Sequence, residues 1–268
     1  MARNGQHGTA LVTGASSGIG AVYADRLARR GYDLILVARD AARLEALAER
    51  LRAAGGVAVE VLPADLGAAA GRKLIEQRLA GDAAITLLVN NAGAAVAGEI
   101  IGIDPDAAEA LIMLNVVAAT RLAMAAGRAF AKRGEGAIIN IASVVALLPG
   151  RISGVYSATK AFVLNFSQAL TQELSQSGVR VQAVLPGATR TEIWGRAGVD
   201  VNALDAAAVM GVDEMVDAAL AGFDASETVT IPALPDAGDW QAFEAARQAL
   251  GPNLSRDHAA ARYRVLAA

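Results

Sequence analysis

Short apolar runs alternate with longer stretches of helical periodicity along the 268-residue chain. The segments TALVTG, DLILVA, VAVEVL, ITLLVN, AIINIAS and VRVQAVLP are brief, often β-branched, and bounded by Gly, Pro or polar residues. That is the pattern of strands buried on both faces. VTIP at 229–232 supplies a candidate seventh strand. Between them, AARLEALAERLRAAG, DAAEALIMLNVVAATRLAMAAGRAFAKRG and YSATKAFVLNFSQALTQELSQSG place apolar residues at helical spacing, with Gly near their ends. Regular βα alternation predicts an α/β fold: a doubly wound, mostly parallel sheet of about seven strands with helices on both faces. No repeat or linker divides the chain, so 1–268 reads as one domain. The irregular connection from Ala188 to Gly211 is too long for an ordinary loop. The tail, 236–268, reads as an amphipathic helix around Trp240, Phe243 and Leu250, then a Gly-Pro break.

Composition narrows the partners. A net charge of −3 without a long basic run argues against capture of nucleic acid or of an anionic membrane. The absence of cysteine removes disulfides and thiolate metal sites, and His7 and His258 lie near opposite ends, so no metal site is expected. The start, MARNGQHG, lacks the apolar core of a signal peptide, and Arg121, Arg128 or polar residues interrupt the greasiest segments. A cytoplasmic protein acting on a small molecule is the expectation.

The first strand runs into Thr13-Gly14-Ala15-Ser16-Ser17-Gly18-Ile19-Gly20 and then a helical pattern, AVYADRLARRG. In that context the glycines have separate tasks. Gly14 permits a tight strand-to-helix turn, Gly18 lets backbone approach a pyrophosphate, and Gly20 allows close packing of helix on strand. The helix N-terminus then attracts the anion, and the turn suits a dinucleotide. Further along, Tyr156 and Lys160 stand four residues apart in YSATK. On a helix this brings a phenol and an ammonium to one face, about 6 Å apart along the axis.

The spacing G-x-x-x-G-x-G behind a threonine resembles the short-chain dehydrogenase/reductase family, in its single-domain subgroup. Matching residues follow in that family's order: Asp65-Leu66, Asn90-Asn91-Ala92-Gly93, Asn115, Ser143, Tyr156 and Lys160, then Pro186-Gly187. The resemblance covers about residues 8 to 232 and implies a Rossmann fold. It also implies a catalytic tetrad of Asn115, Ser143, Tyr156 and Lys160. Tyr156 would exchange a proton with the substrate oxygen while hydride moves at carbon. Ser143 would hydrogen-bond that oxygen, Lys160 would also bind the nicotinamide ribose, and Asn115 would help hold a relay water. A phenol of pKa about 10 is poorly matched to neutral pH in the oxidative direction. A cation about 4 Å away at an effective dielectric of about 20 offers up to about 4 kcal/mol to lower it.

The same resemblance places cofactor on Gly14, Ser16, Ser17, Gly18, Ile19 and Gly20. Asp65 and Leu66 would lie at the adenine and Asn91 and Gly93 on the adenosine side. Pro186, Gly187, Thr189 and Thr191 would lie toward the nicotinamide and pyrophosphate. Cofactor choice is read at the end of DLILVAR. A carboxylate there would grip a ribose 2′-hydroxyl, whereas Ala38 followed by Arg39 favours the 2′-phosphate of NADP over NAD. A solvated arginine is the plain alternative, because Ser17 is uncharged.

These features predict an NADP-dependent oxidoreductase interconverting a carbonyl and an alcohol. A noncatalytic NAD(P)-binding regulatory protein, and an epimerase or dehydratase using the same Tyr/Lys pair, are the alternatives. Family members commonly pair through the helices near 106–133 and 156–176. Leu111, Met113, Leu114, Phe162, Phe166 and Leu170 there are either buried in the chain's own core or shared between subunits, and a homodimer or homotetramer is the expectation. Ile193, Trp194, Leu204, Val209 and Met210 give segment 188–211 an apolar face, so it is expected to act as a substrate lid over a pocket completed by Val144 and Val145. The competing arrangement packs Trp194 statically against the tail.

Overall fold

The computed structural model describes residues 7–149 and 153–263. The first six residues, and the last five of the tail segment 236–268, lie outside the described residues. The strands are β1 (Thr9–Thr13), β2 (Asp33–Ala38), β3 (Val59–Pro63), β4 (Ile85–Asn90), β5 (Gly136–Ile141) and β6 (Val179–Val184). Two-residue strands follow: β7 (Ala188–Thr189), β8 (Val209–Met210) and β9 (Val229–Thr230). Seven of these form one parallel sheet in the order β3-β2-β1-β4-β5-β6-β9. The order reverses between β1 and β4, which opens a crevice at their carboxyl ends. β7 and β8 form a separate parallel ladder that the sequence pattern did not indicate.

Strand alternation divides the core into two layers. Val12, Leu34, Leu36 and Val89 face one cluster, while Leu11, Ile35, Leu88 and Ile138 face the other. Helices α1 (Gly18–Arg29) and α2 (Ala41–Gly55) cover the first face through Tyr23, Leu27, Leu44 and Leu51. On the second face lie α3 (Ala69–Gly81), α5 (Ala119–Arg133) and α6 (Gly154–Leu174), while α4 (Pro105–Ile112) packs through Leu111 in a separate cluster with Val145 and Tyr156. Ile75, Leu79, Leu122, Phe130, Leu170 and Leu174 fill the second layer.

Local chemistry sets the helix ends. Asp40 caps α2 by accepting from the Arg43 amide at 3.0 Å, and Gly56 ends it with φ +63°. Asp104 and Pro105 open α4, and Gly134 closes α5 with φ +76°. Between α4 and α5 the helix widens into a π turn over Met113–Ala118. Within Pro105–Arg133 an 18-residue window has a mean hydropathy of 1.7, long and apolar enough to cross a membrane by length and composition alone, although Arg121 and Arg128 interrupt the apolar run. Its inner face nevertheless packs on the sheet through Leu122, Ala123, Ala126 and Phe130.

After β7 come α7 (Ile193–Arg196) and then α8 (Val212–Asp224), which adds Met215, Val216 and Leu220 to the first layer. The chain divides at Pro232/Ala233 into two compact units. The second contains α9 (Ala237–Ala249) and α10 (Gly251–Leu254), separated at Leu250, with Gly251-Pro252 opening α10 rather than forming the break itself. Within α9, the Trp240 and Phe243 rings lie 5.5 Å apart.

Phe130 is 0% exposed and Phe243 is 47% exposed. Phe130→Ala should cost about 3–5 kcal/mol, read as a lower denaturant midpoint with unchanged slope. Phe243→Ala should stay within about 0.5 kcal/mol.

Candidate active site

The turn after β1 has little room to spare. Gly14 and Gly18 have φ of +65° and +53°, which side chains beyond glycine rarely adopt. A Cβ on Gly20 would lie 2.4 Å from the Gly14 carbonyl oxygen. Ser17 caps α1 without a side-chain hydrogen bond, and the first turn has no acidic residue. The leading amides of α1 are therefore available to an anion, with Ser16, Ser17 and Ile19 half-buried around them. Thr13, the residue before Gly14, ties this turn to the crevice. Its Oγ accepts from the Asn91 and Ala92 amides, each at 2.9 Å, and Asn91 Nδ2 donates to the Thr13 carbonyl at 2.9 Å.

At the carboxyl end of β2, Ala38 is half-buried and Arg39 exposed. Asp65 accepts from the Gly67 amide at 2.9 Å. Leu66 is buried in the core and its carbonyl accepts from Arg72 at 3.0 Å, so its amide is the polar group left for a ligand. These residues and the glycine turn form a cradle that suits a dinucleotide.

The four tetrad side chains come from three places in the fold, α6, the turn after β5 and the π turn, and meet. Tyr156 and Lys160 are buried on α6, with the Lys160 ammonium 5.8 Å from the Tyr156 ring centroid. Lys160 Nζ donates to the Ile141 carbonyl at 2.8 Å. Ser143, just after β5, is buried near enough to Tyr156 to pull its pKa down, and its Oγ donates to the Pro186 carbonyl at 3.3 Å. Asn115 sits in the π turn and grips Ala94 twice, accepting from its amide and donating to its carbonyl, both at 2.9 Å. Gly93 completes the contact: a Cβ there would lie 3.2 Å from Asn115 Oδ1 and 3.6 Å from Lys160 Nζ. Thr159, which the sequence did not single out, accepts from Asn115 Nδ2 at 3.1 Å and donates to the Tyr156 carbonyl at 2.7 Å.

Burial governs the electrostatics. It pushes the Tyr156 phenol up to about 12, against a downward pull from Ser143. It lowers Lys160 to about 8. The expectation that Lys160 depresses the phenol is not met here, because the ammonium lies over the ring and bonds a carbonyl while desolvation dominates. Apolar side chains surround Tyr156: Leu111, Val145, Ala94, Val96 and Val155. Val145 was expected there; Val144 is half-buried beside it.

Segment 188–211 is clamped at its base by the β7–β8 ladder, which pairs Ala188 with Val209 and Thr189 with Met210. Trp194 Nε1 donates to the Thr189 carbonyl at 2.7 Å, and Thr189 Oγ donates to the Gly187 carbonyl at 3.1 Å. Met210 packs against the first core layer. A Cβ on Gly18 would lie 3.2 Å from Thr191 Cγ2, so the segment reaches the glycine turn.

The sequence profile of a family described as short chain dehydrogenase matches residues 8–202. A solved short-chain dehydrogenase from Sphingobium yanoikuyae in complex with NADPH is 57% identical, with a TM-score of 0.93 over 96% of this chain and 100% of that one. The bulky-bulky ketone specific alcohol dehydrogenase from Comamonas testosteroni is 47% identical, with a TM-score of 0.88 over 96% of this chain and 98% of that one. The 17-beta-hydroxysteroid dehydrogenase type 3 of Homo sapiens is 34% identical over 185 residues, 68% of this chain and 59% of that protein. The chain thus spans less than two thirds of this curated relative's length.

The close approach at the glycine turn makes Gly20→Ala a direct probe. The added methyl must push α1 from β1, at a cost of about 1–3 kcal/mol, and should weaken binding of either nicotinamide cofactor. Thermal unfolding and cofactor titration on the same variant check both effects.

Proposed function

The chain belongs to the short-chain dehydrogenase family of NAD(P)-dependent oxidoreductases acting on CH–OH groups, and from that premise we propose that it uses NADPH to reduce ketones bearing two bulky apolar substituents. The observation that carries the reading is the buried Tyr156 phenol beside buried Ser143 inside an apolar wall. A phenol held at about 12 stays protonated at neutral pH and suits the acid of a reduction. The bound nicotinamide supplies the hydride. Ser143 orients the carbonyl oxygen, Tyr156 donates its proton to that oxygen, and the Lys160 ammonium holds the cofactor ribose with the donors that Ile141 leaves over. Asn115, fixed to Ala94 and Thr159, anchors the water that returns a proton to Tyr156.

Arg39 without a neighbouring carboxylate at position 38 supports NADPH over NADH, as does the NADPH complex of the 57% identical relative. The apolar wall and the 47% identical bulky-bulky ketone enzyme support the substrate class. Segment 188–211 acts as the lid over that wall. A noncatalytic binding module would leave the buried hydroxyl and ammonium without a task. Exposed Ile112, Met124 and Phe162 on α4, α5 and α6, with Phe162 stacked on Phe166, support pairing of subunits through these helices.

Turnover of diaryl and long-chain dialkyl ketones, set against small and charged carbonyl compounds with each cofactor, tests the proposal. Preference for the small or charged compounds rejects the substrate class. Tyr156→Phe removes only the acid, so kcat should fall about 10²–10⁴-fold while NADPH affinity holds within about twofold; near-normal turnover would falsify the mechanism.

Lys160 supplies a pH dependence. Its ammonium is charged below about 8 and neutral above. NADPH affinity should therefore weaken as pH rises through about 8, and Lys160→Met should flatten that profile. Titrations between pH 6.5 and about 9.5 read the break; an unchanged profile in the variant removes the ribose role.

A further inference from the structure

One carboxylate oxygen in the lid is held by two guanidinium groups beside the glycine turn. Glu192 Oε2 accepts from Arg43 Nη1 at 2.7 Å and from Arg196 Nη2 at 2.7 Å. Arg43 lies in the first turn of α2, four residues after Arg39, and Arg196 Nη2 approaches Ser17 Oγ to 3.5 Å. Asp40 is the other acid nearby, its Oδ2 3.5 Å from Arg43 Nε while its Oδ1 caps the helix. Both arginines and Glu192 are about half exposed. The lid thus leaves the carboxyl end of β6, passes the glycine turn at Thr191, and is tied to the start of α2 beside Arg39.

We infer that the Glu192 carboxylate occupies an anion site that the 2′-phosphate of NADPH takes over, which makes Arg43 a second phosphate-binding, cofactor-discriminating residue and Glu192 its internal competitor. The inference rests on the NADPH reading above and adds two residues to it. The chemistry matches on each side. A fork of guanidinium donors binds carboxylate and phosphate oxygens alike, and a dianion attracts it more strongly than a single carboxylate. Exposed ion pairs contribute little net stability and exchange readily, so this tie suits replacement by a ligand. NADH carries a hydroxyl at that position and offers nothing to displace Glu192. Transfer of Arg43 from Glu192 to phosphate also frees α7 from α2, which couples cofactor identity to lid release.

Direct titration of unmodified protein, Arg39→Ala, Arg43→Ala, Arg43→Lys and Glu192→Gln with NADPH, NADH, 2′,5′-ADP and ADP decides the matter. Arg43→Ala should lower affinity for NADPH and for 2′,5′-ADP about tenfold while moving NADH and ADP less than about twofold, with Arg43→Lys in between. Glu192→Gln should raise affinity for the two 2′-phosphate ligands about threefold to fivefold. In protein without cofactor, amide exchange over 191–198 should quicken in both Arg43→Ala and Glu192→Gln. Equal affinity of unmodified protein for NADPH and NADH overturns the NADPH reading, and the phosphate role of Arg43 with it. An NADPH preference abolished by Arg39→Ala but intact in Arg43→Ala, or a Glu192→Gln variant that binds 2′,5′-ADP no more tightly, overturns this inference alone.

Discussion

A lysine ammonium buried without a carboxylate partner is the constraint on which the active site depends. Lys160 is 6% exposed, forms no salt bridge among the described residues, and is held by the Ile141 carbonyl alone. Burial of an unpaired charge is expensive, and the drop to about 8 is that expense expressed as proton affinity. The parallel sheet supplies what relief there is, since Ile141 ends β5 and turns its carbonyl toward α6. A carboxylate partner would hold the ammonium more firmly but would leave its donors occupied. With a carbonyl, the charge keeps donors for a ligand and remains close to losing its proton within the physiological range.

The same desolvation acts on Tyr156 with the opposite sign. Desolvation disfavours the charged form of each, the Tyr156 phenolate and the Lys160 ammonium, and at neutral pH it leaves a protonated phenol beside a cation. A carbonyl oxygen placed near Ser143 would meet the donor already in its acid form. Developing negative charge on the phenolate during proton transfer would then be offset by Lys160, which is where proximity of the two side chains has its effect.

Much of this was legible in the sequence because it is periodic or local. Alternating Val, Ile and Leu mark strands buried on both faces, and Gly14, Gly18 and Gly20 have backbone reasons visible in their spacing. The four-residue step from Tyr156 to Lys160 places both on one face of α6. What spacing does not carry is solvent exposure, and so the sign of the Tyr156 shift came out reversed. The π turn at Asn115 was illegible for a related reason: it follows from a grip on Ala94, 21 residues away, with no breaker residue inside Met113–Ala118. Arg43 and Glu192 are ordinary surface charges 149 residues apart, and only the fold makes them neighbours. The β7–β8 ladder has two residues per strand, too few for any periodicity to register.

Behind the tetrad, a buried polar chain explains why its members hold their places. Asn90, at the end of β4, donates to Asn140 on β5 at 3.1 Å and to the Ala119 carbonyl of α5 at 2.8 Å. Asn140 donates to Ser167 on α6 at 2.9 Å, and Ser167 returns to the Val163 carbonyl at 2.7 Å. Each of these side chains is nearly inaccessible, so breaking one link strands a partner in a site that water does not reach. The network fixes α6 against β4 and β5, and with it Tyr156 and Lys160 against Gly93 and Ser143. The proposed adenosine end is built differently, from half-exposed Arg43, Arg196 and Glu192. Under the proposed function, neutral hydrogen bonds in a dry interior hold the end where protons would move, and charges at the surface hold the end where a phosphate would enter and leave.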